Sequence, residues 1–397
     1  MLRVASWALY DFANTIFAIN IVSFHFALWV TEDMRGEDIF YGAFFSASVF
    51  LAALLMPSLG SLSDRRCRKK DFLIVFTLFA VLFTVLMGYA NRLLEGLLFF
   101  AAANFFVQLA AVFYGALLPS VSKRHNLGKT SGLGVGFGYF GAIIGMSMVK
   151  PFVEQYGLGG AFIPTAVLFF IFALPCMLFV REEKAFAIVK VATRPSFFRY
   201  ITTTFNDIRD EPNLKKFLLS AYIYLNAVSA ILVFVSVYAR KVLGLTYLEI
   251  YNFFLASQIF AILSAFSYGF IADKFGAKRT LSSVLIIWSF VLLLSLLSID
   301  KSSFWIIGPL AGIAVASTWT IGRVLLVKLV PKEKIGIAFG MGGLVGSFAS
   351  ITGPLIWGTI VWALGPFGVL RYRVAIFALL LFIIIGYAIL QKVKVEE

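Results

Sequence analysis

The sequence contains few of the residues that form cross-links, metal sites and soluble surfaces. Only 14% of its 397 residues are charged, and it has two cysteines and two histidines, whereas soluble domains carry about 25% charged residues. Cys67 lies in a basic segment and Cys176 in an apolar one, so no disulfide is expected. His25 and His125 belong to no cluster with metal-ligand spacing, so we expect no metal and no cofactor.

A phosphate-binding loop is also missing from the sequence. No Gly-x-x-x-x-Gly-Lys-Ser/Thr occurs, and this is the loop whose backbone cradles the phosphates of ATP. ATP is therefore not the driver of this chain's activity unless a partner supplies it.

Apolar residues, in contrast, are in excess and occur in long runs. The sequence is 61% hydrophobic with 44 phenylalanines, and its mean hydropathy is +0.93. A soluble core of this length cannot cover so many rings, so lipid must be the solvent for much of the surface. Runs of about 20 apolar residues, enough to cross a bilayer as helices, lie at 7–30, 38–62, 71–90, 93–119, 131–150, 160–180, 213–239, 247–272, 280–299, 303–330, 335–364 and 371–391. We predict an all-α integral membrane protein with twelve transmembrane helices.

The net charge of +14 does not indicate a nucleic-acid partner, because the cations are concentrated in the segments that connect the apolar runs on one side of the membrane. The basic clusters lie at 65–70, 123–129, 181–216, 274–279 and 328–334, and all of them face the cytoplasm if the N-terminus does. Loop cations favour the cytoplasmic side of a membrane. We predict a monomeric, multi-pass protein of the cytoplasmic membrane with both termini in the cytoplasm and an acidic first outer loop at 31–38.

The two halves of the sequence repeat one another. Gly-Ser-Leu-Ser-Asp-Arg-Arg-Cys-Arg-Lys-Lys at 60–70 has the counterpart Gly-Phe-Ile-Ala-Asp-Lys-Phe-Gly-Ala-Lys-Arg at 269–279. Matching glycines of the fifth and eleventh runs are separated by nearly the same number of residues as these two segments. Such a constant separation is typical of the parallel repeat of a two-half transporter. We predict a six-helix bundle at 1–180, a cytoplasmic linker at 181–212 and a second six-helix bundle at 213–397. Ser196 either caps a short interfacial helix in the linker or lies in a loosely ordered segment.

The segment at 60–70 resembles the loop 2–3 signature of the major facilitator superfamily, with Cys67 at the place of the usual second glycine. The stretches at 6–15, 113–119, 138–141, 339–341 and 353–355 are similar to the vacuole-effluxer-like branch, which is related to the autophagy-linked vacuolar amino-acid exporter of fungi. The chain departs from this branch at Asn226-Ala227, where the branch tends to carry Asp-Gly, so a titrating carboxylate is absent from the seventh span.

The resemblance implies a conformational latch at the cytoplasmic ends of spans two and eight. Asp64 would accept hydrogen bonds from the N-terminus of the eleventh span, where the helix dipole favours an anion. The residues assigned to this latch are Gly60, Asp64, Arg65, Arg68, Gly269 and Asp273. The alternative is that the basic loop acts only as a topology signal.

A few polar residues within the spans are the candidates for a solute cavity. Asp11 is the only acidic residue clearly within a span, where a charge costs roughly 2.5–3.5 kcal/mol, and Asn14 shares its helix face. The resemblance implies that spans one, four, seven and ten line the cavity, which adds Asn104, Gln108, Asn226 and Arg323.

Each of these candidates has a second interpretation. Asp11 is either a cavity carboxylate or a solvated group at the membrane interface. Arg323 either pairs with Asp11 when the inner side closes or reaches the interface alone. The three amides either contact the solute or hydrogen-bond neighbouring helices together.

Small residues in spans five and eleven predict close helix packing. Gly134 and Gly138 form a Gly-x-x-x-Gly step in the fifth span, and Gly342 and Gly346 form one in the eleventh. Such steps let two helix backbones approach each other in lipid.

These features together predict a secondary transporter or facilitator, and not an enzyme. It would move a small solute by alternating access; the resemblance favours export of an amino acid or related metabolite and leaves proton coupling open. The alternatives are proton-coupled efflux of drug-like or other organic solutes and, more remotely, a polytopic membrane enzyme.

Overall fold

The computed structural model of the protein describes residues 2–66, 69–121, 127–181, 211–298, 300–330 and 335–395. Throughout these ranges the regular structure is helical, with no strand, and twelve helices are long and apolar enough to cross a membrane. The helices are α1 (Leu2–Phe17), α2 (Asp38–Arg66), α3 (Lys69–Met87), α4 (Leu93–Ala116), α5 (Leu127–Tyr156), α6 (Phe162–Phe179), α7 (Pro212–Leu243), α8 (Tyr247–Phe275), α9 (Ala277–Leu297), α10 (Phe304–Lys328), α11 (Ile335–Ala363) and α12 (Leu370–Gln391). The predicted all-α membrane fold with twelve spans is confirmed.

The first span is longer than its apolar run. Beyond α1 the helix continues with π-type hydrogen bonding over Ala18–His25, returns to the α form at Phe26–Leu28, and is π-type again over Trp29–Asp33. The helical path therefore includes the first three residues, 31–33, of the segment that the sequence analysis placed in an acidic outer loop. Composition does not reveal this, because the change is one of hydrogen-bond register, and π segments of this kind occur frequently at functional sites.

The chain divides into two compact units, of which the first comprises Met1–Gly36 and Ala47–Ile201. In this unit α1 packs against α5 and α6, and α3 packs against α4. Aromatic rings fill the core: Tyr10, Phe113 and Phe169 are all buried. The predicted interfacial helix at Ser196 lies outside the described residues.

The second unit comprises Glu37–Ser46 and Thr202–Glu397. Here α7 packs against α11 and α12, and α10 packs against α8 and α9. The Phe234 and Trp357 rings stack at 5.4 Å between centroids, and Trp288 Nε1 donates to Thr318 Oγ1 at 3.0 Å.

The start of α2 belongs to this second unit, although the sequence analysis assigned all of 1–180 to one bundle. Specific contacts with α11 explain the difference. A Cβ on Gly42 would lie 2.8 Å from the Pro354 carbonyl oxygen, so only glycine permits this approach. One turn later, Ser46 Oγ donates to the Ile351 carbonyl oxygen at 2.7 Å.

The turn between α7 and α8 follows directly from its sequence. Gly244 has φ +62°, in the left-handed region that favours glycine. Thr246 begins α8 with a capping box, since its hydroxyl accepts from the Glu249 N–H while the Glu249 carboxylate accepts from the Thr246 N–H. The chain therefore reverses direction within a few residues.

Candidate functional site

In the first unit, a carboxylate lies on α1 beside two stacked aromatic rings. Trp7 precedes Asp11 by one helical turn. The Trp7 ring stacks on the Tyr114 ring at 4.5 Å, and Trp7 Nε1 donates to the Tyr114 carbonyl oxygen at 3.1 Å. These contacts fix the side of α1 that presents Asp11 against the end of α4.

The backbone of α5 closes this group of residues on its other side. A Cβ on Gly134 would lie 2.8 Å from Trp7 Cζ3, 3.1 Å from Asp11 Oδ2 and 3.2 Å from Tyr114 Oη. The half-buried Asp11 carboxylate thus occupies room that only glycine leaves open. We name Trp7, Asp11, Tyr114 and Gly134 the α1 carboxylate cluster.

Three more glycines continue the contact of α5 with α1. A Cβ on Gly138 would lie 2.7 Å from Thr15 Oγ1, and one on Gly141 would lie 2.5 Å from the Phe12 carbonyl oxygen. A Cβ on Gly145 would lie 2.7 Å from Ile16 Cγ1. The two backbones are therefore in direct contact over three helical turns.

Asn14 lies one turn after Asp11 and has a half-buried side chain. Its Oδ1 is buried and has no hydrogen-bond partner within the described ranges. The same is true of both amide atoms of Asn20, which is fully buried in the π-type segment and which the sequence analysis did not single out. An unsatisfied buried polar group costs about 1–3 kcal/mol, so both amides are candidates for contact with a solute.

The two polar residues of α4 differ in their surroundings. Asn104 is buried, and its Nδ2 donates to Ser48 Oγ of α2 at 2.7 Å. Asn104 therefore has the interhelical hydrogen bond that was its alternative interpretation. Gln108, one turn later, is half-buried.

In the second unit, Asn226 belongs to a chain of hydrogen bonds between α7 and α11. Thr352 Oγ1 donates to Asn226 Oδ1 at 2.5 Å, and Asn226 Nδ2 donates to the Tyr222 carbonyl oxygen at 2.7 Å. The Tyr222 and Thr352 hydroxyls lie 3.2 Å apart, and those of Ser229 and Ser350 lie 3.4 Å apart.

The glycines of α11 do not repeat the contacts of α5. A Cβ on Gly342 would meet Leu326 Cδ1 at 2.7 Å, and one on Gly346 would have no heavy atom of the described structure within 4 Å. Close approach occurs further along, at Gly353, where a Cβ would collide with the Asn226 carbonyl oxygen.

Arg323 lies near the C-terminal end of α10 with an exposed side chain. It belongs to the second unit and Asp11 to the first, so their pairing stays a prediction.

The predicted latch also stays a prediction. Gly60, Asp64 and Arg65 fall in the last turns of α2, where their side chains lie outside the described structure, and Arg68 lies outside the described residues altogether. In the second copy, Gly269 is inside α8 with no described neighbour within 4 Å of a Cβ, and Asp273 is exposed in the last turn of α8.

A second carboxylate, which sequence reasoning missed, lies at the first residue of α2. Asp38 is 4% exposed. It accepts hydrogen bonds from Trp357 Nε1 at 3.1 Å and from the Tyr372 hydroxyl at 3.4 Å, and Arg371 in turn donates to that hydroxyl at 3.3 Å. The only local signal was an acidic residue at a helix start, which commonly interacts with the helix dipole alone.

A metal site has no support in the described part of the chain, since no group of three or more His, Cys, Asp or Glu residues there could hold an ion. The chemistry available is that of carboxylates, amides and aromatic rings. These can bind a solute and hold or release a proton.

Comparison with known proteins places these features in a family. The model of the Major Facilitator Superfamily matches residues 10–267 and 253–396. The uncharacterized MFS-type transporter YxiO of Bacillus subtilis is 26% identical over 98% of this chain and 94% of its own length. The multidrug resistance protein MdtG of Enterobacter lignolyticus is 25% identical over 81% of this chain and 76% of its own.

The fold is found in solved transporter structures. A crystal structure of a mutant of the nucleoside transporter NupG superimposes with a TM-score of 0.81 at 14% identity, covering 98% of this chain and 99% of its own. At that identity the likeness shows the fold alone. The family model spans nearly the whole sequence, and the chain therefore belongs to the major facilitator superfamily of membrane transporters.

Proposed function

We propose that this transporter exports a small amine-containing organic solute, such as an amino acid or a related metabolite, across the cytoplasmic membrane by alternating access. The α1 carboxylate cluster is the observation that carries the proposal. A half-buried carboxylate held between α5 and the stacked rings of Trp7 and Tyr114 suits an ammonium group, which the negative charge attracts. The unsatisfied Oδ1 of Asn14, one turn away, can accept a hydrogen bond from the same group.

The mechanism that we propose is that of a monomer with both termini in the cytoplasm. The solute binds near the middle of the membrane, and the protein alternates between inward-open and outward-open forms. The segments around Asp64 and Asp273 act as the cytoplasmic latch. The branch resemblance to a vacuolar amino-acid exporter supports both the solute class and the outward direction.

Coupling to protons is part of the proposal and depends on Asp11. A carboxylate inside a membrane span is costly to keep charged, so Asp11 can exchange a proton for the solute's ammonium group. An Asp11→Asn protein would then exchange solute for solute more slowly, because the ammonium group loses its anionic partner, and would no longer respond to a pH gradient.

Efflux of drug-like organic cations is the second candidate. Its support is the match to relatives named multidrug resistance protein over about four-fifths of this chain. The half-buried Asp11 carboxylate suits a bulky cation as well as an amino acid, so the two candidates differ in solute size and hydrophobicity. A polytopic membrane enzyme remains a remote third.

The test is solute counterflow in proteoliposomes that contain the purified full chain. A thermal-shift screen over amino acids, polyamines, nucleosides and hydrophobic cations selects the solutes. Counterflow of a zwitterionic amino acid, recovered chemically unchanged, is the expected result. Counterflow of hydrophobic cations alone would favour the drug-like candidate, and chemical conversion of the solute would contradict transport.

A matched variant identifies the role of Asp11. Asp300 is exposed between α9 and α10, where the hydroxyl and N–H of Ser302 donate to its carboxylate and hold its pKa below the usual range. Asp300→Asn removes the same charge outside the membrane and should transport like the wild type. Asp11→Asn should lose the pH-gradient response. Equal behaviour of the two variants would contradict the role of Asp11.

A further inference from the structure

A cationic groove lies at one end of the second unit, between the start of α9 and the end of α12. Its volume is about 860 Å³. Four cations, Lys278, Arg279, Lys392 and Lys394, line it together with Ser282 and Gln391, and no acidic residue of the described structure is among its lining residues. The groove therefore offers concentrated positive charge to an anion.

Hydrogen bonds hold the walls of this groove in place. Lys278 Nζ donates to the Gln391 carbonyl oxygen at 2.9 Å, and Gln391 Nε2 donates to Ser282 Oγ at 2.9 Å. Past the end of α12, Val393 is fully buried, and the Lys394 N–H donates to Asn213 Oδ1 at 3.0 Å. The cations of the chain's last segment are thus fixed relative to α9 by the fold.

An exposed apolar stripe on α9 leads to the groove. Ile286, Phe290, Leu293 and Leu297 are 54%, 51%, 40% and 63% exposed. Their spacing places them on one helix face, and Arg279 lies on that same face two turns before Ile286. In a transmembrane helix such a stripe contacts lipid chains.

A matching stripe runs along α12, which packs against α9. Phe377, Leu381 and Ile384 are 48%, 41% and 46% exposed, and helical spacing continues their face to Gln391 and Lys392 at the groove. Two lipid-facing stripes therefore meet at one cluster of cations.

We propose that this groove binds the anionic headgroup of a membrane phospholipid, with its acyl chains lying along the stripes of α9 and α12. Basic pockets between transmembrane helices select anionic headgroups because each nearby cation contributes attraction to the phosphate. A soluble phosphate would use the cations but not the apolar stripes, so the continuity of groove and stripes favours an amphiphile.

The experiment is lipid-dependent thermal stabilisation of the purified full chain in a neutral detergent. Dioleoyl phosphatidylglycerol and cardiolipin should raise the melting temperature, whereas dioleoyl phosphatidylcholine should not. Inorganic phosphate and glycerol 3-phosphate test the soluble source. An equal rise with either of them, or with phosphatidylcholine, would overturn the proposal.

Two pairs of variants locate the site. Arg279→Gln with Lys392→Gln removes two groove cations and should weaken the apparent affinity for phosphatidylglycerol about tenfold or more, at roughly one kcal/mol per cation. Lys216→Gln with Lys328→Gln removes two exposed cations outside the groove and should leave that affinity unchanged. Equal losses in both pairs would show that only net charge matters and would refute a specific groove.

A third variant reports on the acyl chains and does not depend on the cations. Ile286→Gln with Phe290→Gln interrupts the α9 stripe while every groove cation stays in place. It should weaken binding of phosphatidylglycerol, and retention of that lipid in native mass spectrometry should fall in parallel. Unchanged retention would contradict the proposed path of the acyl chains.

Discussion

The helix pairs α1/α5 and α7/α11 occupy equivalent places in the two units, yet different interactions hold them together. In the first unit, Gly138, Gly141 and Gly145 bring the α5 backbone directly against α1. The equivalent positions of α11 are Gly346, Ala349 and Gly353; of the two glycines, only Gly353 would place a Cβ against the α7 backbone.

Hydrogen bonds take the place of this packing in the second unit. Ser350 and Thr352 of α11 bond to side chains of α7, whereas α5 has Ala142 and Ile144 at the equivalent positions. Between membrane helices, glycine contacts gain dispersion energy from extensive backbone contact, and hydrogen bonds depend on a few directional groups. We infer that α1 and α5 move as one body, while α7 and α11 can exchange hydrogen-bond partners.

The largest effect that would test this comparison is expected at Gly141. Gly141→Ala places a Cβ 2.5 Å from the Phe12 carbonyl oxygen, so α1 and α5 must separate, at a cost of about 1–3 kcal/mol. The reverse change at the equivalent site, Ala349→Gly, should cost only about 1 kcal/mol through lost helix propensity. Thermal unfolding in detergent measures both. Similar melting temperatures would show that the α1/α5 contact is no tighter than its counterpart.

The half-buried Asp11 of the first unit and the buried Asp38 of the second are expected to differ in role. Asp38 has fixed donors, so Trp357→Phe, which keeps an aromatic ring against Phe234 but removes the N–H, should destabilise the protein by about 1–3 kcal/mol. Asp11→Asn should change stability less and transport more. The measurement is melting temperature set against counterflow rate for each variant. A large loss of stability for Asp11→Asn with unchanged transport would assign it a structural role instead.

A smaller effect is expected from the hydrogen bond of Thr352 with Asn226. Thr352→Val keeps the shape of the side chain and should cost roughly 0.6–1.7 kcal/mol, as for other hydrogen bonds between membrane helices. In a double-mutant cycle with Asn226→Leu, the two losses should not add. Additive losses would mean that the 2.5 Å contact contributes no coupling.

The twelve spans could be predicted because the length of an apolar run determines directly whether a helix can cross the membrane. The burial of Asp38 could not, since it depends on Trp357 and Tyr372, which are distant in the sequence. The π-type continuation through Asp33 was missed because hydrogen-bond register leaves no trace in composition. Likewise, Gly138 and Gly346 occur in similar motifs, and only the neighbouring helix distinguishes them.

The smallest effect, and the sharpest test of the comparison, is expected at Gly346. A Cβ there meets no heavy atom of the described structure within 4 Å, so Gly346→Ala should be neutral or stabilise the protein by up to about 1 kcal/mol through helix propensity. Its equivalent, Gly138→Ala, meets Thr15 Oγ1 at 2.7 Å and should lower the melting temperature.

Transport by Gly346→Ala then shows why α11 has a glycine at this position. If the transport rate is unchanged, Gly346 has no packing role in any step of the cycle. If transport slows while the melting temperature rises, another conformation of the cycle brings a helix against Gly346, since an added methyl group can raise a barrier only where something contacts it. In that case α11 forms in one state the close contact that α5 keeps in this structure, and the two helix pairs differ in when they pack as well as in how.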